Sequence, residues 1–95
     1  MSDYALSRFA GLVGDGFDVV EAPGTTWTLA EATGHGEVAD PETHGSFSLV
    51  FRGAPAPVYG QQRVTLRHPA LGEQVIFVAP VAADAEGVSY EAVFN

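Results

Sequence analysis

Four short segments in the second half of the chain, SFSLVFRG, RVTLRH, QVIFVAP and SYEAVFN, succeed one another with only Pro- and Gly-rich breaks between them. Period-two alternation over such lengths predicts half-buried β-strands. Parallel pairing needs crossover helices, and these breaks are too short to supply them, so the pairing is antiparallel. Upstream, 17–21 and 26–32 read as two further strands about an Ala22-Pro23-Gly24 turn. The expected fold is therefore all-β: a small six-stranded antiparallel barrel or compact sandwich. A barrel is preferred because closure removes the sheet edges that a chain without Lys has few means to guard.

The remaining boundaries come from the same signals. Ala5, Leu6, Phe9, Ala10 and Val13 recur at helical spacing, so a short helix is expected over 3–12, capped by Ser2 or Asp3 and ended by Gly14 or Gly16. Strands are expected at 17–21, 26–32, 46–53, 63–68, 73–80 and 88–94, within one domain spanning 1–95. At this length folding removes very roughly two-thirds of the chain's surface from water, enough for one core without a staple.

Strand parity assigns the faces. Phe17, Val19, Trp27, Leu29, Phe47, Leu49, Phe51, Val64, Leu66, Val75, Phe77, Tyr90, Ala92 and Phe94 form the expected core. Val20, Val50, Ile76, Val78 and Val93 then point outward and require a cover, either the N-terminal helix or another chain. Arg52, Arg63 and Arg67 are also outward. If the third and fourth strands are neighbours, these three arginines share one face, either cross-paired with Glu31, Glu73 and Glu91 or open to an acidic partner.

Charge limits the partners. With four Arg, no Lys and twelve acidic residues the formal net charge is −8, which repels nucleic-acid backbones and anionic membrane surfaces. No apolar stretch approaches the length of a membrane span. No basic segment leading into an apolar run opens the sequence, so the expectation is a product that is cytoplasmic as synthesised, with incorporation into an exported assembly still open. The lack of Cys excludes disulfides and thiolate chemistry.

Little in the sequence carries chemistry. The polar stretch 33–45 contains His35, Glu37, Asp40, Glu42 and His44, and His35 with His44 is the one candidate for a divalent metal, on a segment lacking ordered ligand spacing. His68, at a strand end before Pro69, reads as a turn histidine bonded to backbone. No nucleophile elbow, dinucleotide fingerprint or phosphate loop is present. Neither catalysis nor a cofactor is expected.

FSLVFRGAPAP, QQRVTLRHPALG, IFVAPV and YEAVFN, together with Phe9, Leu12, Gly14 and Phe17, resemble a small bacterial family of uncharacterised all-β domains with an FSL-F-RGP core and a terminal YEAVFN. The chain departs from that pattern where Ala54 precedes Pro55 and in its longer 33–45 segment. The resemblance implies no activity and no catalytic residue. It implies a context beside phage-tail-like collar or fibre proteins.

The expected function is a non-enzymatic protein-binding or assembly module acting through a protein partner or self-association, with Val50, Arg52, Arg63, Arg67, Ile76 and Val78 as its contact residues. The alternative is a small-ligand or divalent-metal binder using 33–45.

Overall fold

The computed structural model describes residues 9–35, 46–56 and 58–94, with backbone only for His35 and Ser46. It contains six strands: β1 (Gly16–Val19), β2 (Thr26–His35), β3 (Ser46–Gly53), β4 (Gln62–His68), β5 (Gly72–Asp84) and β6 (Gly87–Phe94). They form a closed antiparallel barrel in the order β1-β2-β3-β6-β5-β4. The all-β antiparallel barrel expected from the sequence is the architecture found.

No helical element is formed within the described residues: positions 3–8 of the expected helix lie outside them, Phe9 and Ala10 are in helical conformation, and from Gly11 the chain runs through a succession of turns. The Leu12 N–H donates to the Phe9 carbonyl (2.8 Å) and the Asp15 N–H to that of Leu12 (2.9 Å). Gly11, Gly14 and Gly16 explain the loss of helical continuation, since each glycine interior to a helix is unfavourable by about 1 kcal/mol. Gly14, at φ 100°, has left the helical region altogether. Phe9 does not lie across the outward valines. It is buried in the core, with its ring 6.3 Å from those of Phe47 and Phe94.

Two bulges shift which side chains face inward. On β2 the register slips between Leu29 and Glu31, so Trp27 and Leu29 point inward before it and Ala32 faces the core after it. On β5 a second slip lies between Pro80 and Ala82. The core holds Trp27 stacked on Tyr90 (centroids 4.2 Å apart, 9° between planes), with Phe51 set edge-on to Phe17 at 5.4 Å. Gly53 lies against this stack, and the Tyr90 hydroxyl accepts the Tyr59 N–H at 3.0 Å.

The structure reverses the expected phase of β5. Ile76 and Val78 are 2% and 0% exposed, whereas Val75 and Phe77 are 54% and 52% exposed. The segment VIFVA is apolar at both parities, so alternation carries no phase. Gln74, whose polarity argues that its parity faces water, is buried instead and satisfies its amide by donating to the Leu71 carbonyl at 3.0 Å.

The barrel closes where β1 meets β4, and that seam is short: Asp18 opposite Arg67 and Val19 opposite Leu66. It is extended by the Val20 N–H donating to the Thr65 carbonyl (2.9 Å). Glu21 completes it, one carboxylate oxygen accepting the Thr65 N–H and the other the Thr65 hydroxyl, both at 2.7 Å. The Thr65 amide, and then its hydroxyl, hold the Glu21 carboxyl below its ordinary pKa of 4.5. A carboxyl with a lowered folded pKa adds stability that is complete above its unfolded value and disappears as pH falls through the folded one. Thermal melts on acidification below about pH 4.5 should therefore lose stability in the wild type. Glu21→Gln should melt lower than wild type at neutral pH and show a shallower acid slope. Identical slopes would mean that the latch does not contribute.

Candidate functional site

The β4–β5 hairpin presents the most distinctive surface of the molecule. Its turn is set by the His68 carbonyl accepting the Leu71 N–H at 3.0 Å, with Pro69 at the second position and Gly72 just beyond at φ 72°. His68 fastens the turn to the segment that leads into β1. Its Nδ1 accepts the Ala70 N–H at 2.9 Å, so the ring proton is on Nε2, which donates to Asp15 Oδ2 at 2.9 Å. The ring lies 4.8 Å from Phe17. The expected backbone bond of this turn histidine is present. The Asp15 partner was not legible in the sequence.

The register of the hairpin, Arg63 with Phe77, Thr65 with Val75 and Arg67 with Glu73, places these six side chains on its outer side. Val64, Leu66, Ile76 and Val78 fill the inner side. The outer side thus carries two adjacent exposed apolar groups, Val75 and Phe77, with Arg63 directly across from Phe77. The Arg67 guanidinium is shared between Asp18 (3.9 Å) and Glu73 (3.8 Å), both long exposed pairs of the kind that contribute about 0–1 kcal/mol. The Arg63 guanidinium makes no ion pair or hydrogen bond among the described residues.

Arg52 does not join the other two arginines. β3 pairs with β2 and β6, and β4 with β1 and β5, so β3 and β4, consecutive in the chain, are not neighbours. The chain between them passes over the Trp27–Tyr90 stack, with the Tyr59 ring 6.2 Å from Trp27. Arg52 is instead tied to the β5–β6 hairpin, donating to Ser89 Oγ at 2.9 Å and to Asp84 Oδ1 at 3.0 Å. The Arg52 guanidinium, and after it the Glu86 N–H, hold the Asp84 carboxyl below its usual range. Val50 is half-buried on the outer side of β3, between Glu31 on β2 and Glu91 on β6. Val20 is half-buried beside the seam, and Val93 is 55% exposed on the outer side of β6.

Two clefts of about 330 Å³ each flank the turn between β1 and β2. One is bordered by Trp27 and Tyr59 and the other by Asp18 and Arg67. Neither gathers a nucleophile beside a base. Among the described residues no three His, Cys, Asp or Glu side chains converge in a way that would hold a metal. The 33–45 segment begins as strand, since β2 runs to His35. His44 and the rest of the segment lie outside the described residues. No helix among the described residues is long and apolar enough to cross a membrane.

A family model described as Domain of unknown function (DUF6916) matches residues 4–94. No curated protein and no solved structure matches the chain.

Proposed function

Since the chain belongs to the DUF6916 family, a domain of unknown function, membership brings no activity with it, and we propose that it is a non-enzymatic protein-binding and assembly module. The observation that carries this reading is the exposed pair Val75 and Phe77 beside Arg63 on the outer side of β4 and β5. Apolar side chains this exposed and this close together are typical of surfaces that another protein covers. An aromatic next to an arginine is the composition enriched at the centre of interfaces. The net charge of −8 favours a protein partner over a nucleic acid. The setting we propose is a multiprotein assembly entered after synthesis in the cytoplasm, of the phage-tail-like kind implied by the family resemblance.

A photo-crosslinking amino acid at position 77, in the cells that make the protein, tests this. A discrete crosslinked product containing this chain is expected from position 77, and none from the exposed position Ala70 on the hairpin turn. Its mass tells whether the neighbour is a second copy or another protein. Crosslinking to nothing discrete from position 77 would remove the reading.

A further inference from the structure

The apolar surface of the β4–β5 hairpin continues onto β6. Ala79 of β5 pairs with Glu91 of β6, and from that pair the two strands run in opposite directions. Residues two apart face the same side, so Phe77, two before Ala79, comes beside Val93, two after Glu91. Val75, Phe77 and Val93 are each more than half exposed. Two charged groups border them, Arg63 across from Phe77 on β4 and Glu91 on β6. Neither forms an ion pair among the described residues. The exposed surface ends at β3, where Ser48, opposite Val93, is buried.

Across the three strands the order is therefore cation, apolar centre, anion. β5 lies between β4 and β6, so the Arg63 and Glu91 strands stand two spacings, about 10 Å, apart with Phe77 and Ala79 between them.

We infer that this face docks on the same face of a second copy, about a twofold axis that lies in the contact plane and passes beside Phe77. Arg63 of each copy then meets Glu91 of the other, and Phe77 packs on Phe77 and Val93 of the other. The occupant is argued from charge. An isologous contact makes every pairing twice, so a face of one sign would repel itself. This face carries a cation and an anion on opposite flanks of an apolar centre, and the rotation lays each on its opposite. An acidic partner would satisfy Arg63 but set like charge against Glu91, and a basic partner would do the reverse. Because both copies use the same face, association stops at two. The charge of −8 per copy opposes approach at low salt. At physiological ionic strength that repulsion is screened beyond about 8 Å, while the pairs in contact survive. The patch is small, which places the contact among weak interfaces of under about 1,200 Å². This inference rests on the assembly reading above and names the partner.

Sedimentation of the purified chain from micromolar to millimolar concentration, with charge-reversed variants, tests it. Wild type is expected to pass from one copy to two and to grow no further. Arg63→Glu and Glu91→Arg should each weaken dimerisation about tenfold or more, with melting little changed because both positions face outward. The two substitutions move the net charge in opposite directions, so a response to overall charge alone would make them act oppositely. Both together in one chain should restore the dimer, since each cross pair is then inverted as a whole. Phe77→Ser should abolish it. A wild type that stays monomeric, growth beyond two copies, single variants with opposite effects, or a double variant no tighter than the singles would overturn the twofold contact. Crosslinking of position 77 to a different protein, with a monomeric purified chain, would overturn this inference and leave the assembly reading standing.

Discussion

Gly87→Ala is expected to destabilise the barrel severely, by about 3 kcal/mol or more, although on general grounds the change should help. A strand glycine without positive φ ordinarily gains about 0.4–1 kcal/mol on conversion to Ala, through the unfolded chain. Here a Cβ on Gly87 would collide with the carbonyl oxygen of Gly53 and press on the Arg52 guanidinium at 3.3 Å. The obstacle is backbone at the end of the β3–β6 ladder, where Gly53 opposes Val88, so neither strand can yield without losing that pairing. Gly53→Ala meets a similar barrier from the inside, since its Cβ would lie 2.6 Å from Trp27 Nε1. Either substitution should lower the melting temperature by roughly 12 °C or more, at about 4–8 °C per kcal/mol for a domain of this size. Gly60→Ala, with nothing within 4 Å of its Cβ, should be neutral or slightly stabilising. If all three melted alike, the close approach of the strands would not be the cause.

Trp27→Ala should have the largest effect of any single truncation. The indole is 1% exposed, stacks face to face on Tyr90 and has its ring 6.4 Å from that of Phe51. Truncating a buried Trp costs about 3–5 kcal/mol, a large share of the roughly 5–15 kcal/mol that a domain has in total. Denaturant unfolding is expected to show the midpoint of Trp27→Ala far below wild type or no folded baseline at all. Trp27→Phe, which keeps an aromatic face for Tyr90, should recover part of the loss. Trp27 is the single tryptophan of the chain, so wild-type unfolding can be followed by its emission alone. A wild-type-like midpoint for Trp27→Ala would contradict the packing described.

Much of this architecture was legible because Ser48, Arg52, Thr65, Arg67, Ser89 and Glu91 mark one parity of β3, β4 and β6 as polar. Phe47, Leu49, Phe51, Val64, Leu66, Tyr90 and Ala92 point inward as alternation requires. Where the sequence is apolar at both parities, as in VIFVA, that information is missing. Gln74 then misleads, because its burial depends on a hydrogen bond to Leu71 that only the folded turn provides. The same reversal hides the candidate surface: Arg63 and Arg67 read as outward, but the Phe77 beside them reads as core. Strand order was not legible either. It depends on the Pro-rich connection after Gly53 carrying the chain past two strands, and turn chemistry marks that a chain bends without saying where it lands. Nor does a glycine reveal from sequence that another backbone passes close, as Gly53 and Gly87 do to each other.

The shortness of β1 bears on the order in which the molecule comes together. Without its four residues, β2, β3, β6, β5 and β4 still form a continuous antiparallel sheet. β1 is therefore a clasp that turns a curled sheet into a cylinder. Joining Val19 to Leu66 closes a long stretch of chain in exchange for few bonds, so it is favourable only once the rest is in place. The same arithmetic runs in reverse. The clasp is the joint that parts first when the native state breathes, uncovering Phe17 and Val19 while the five-stranded remainder holds.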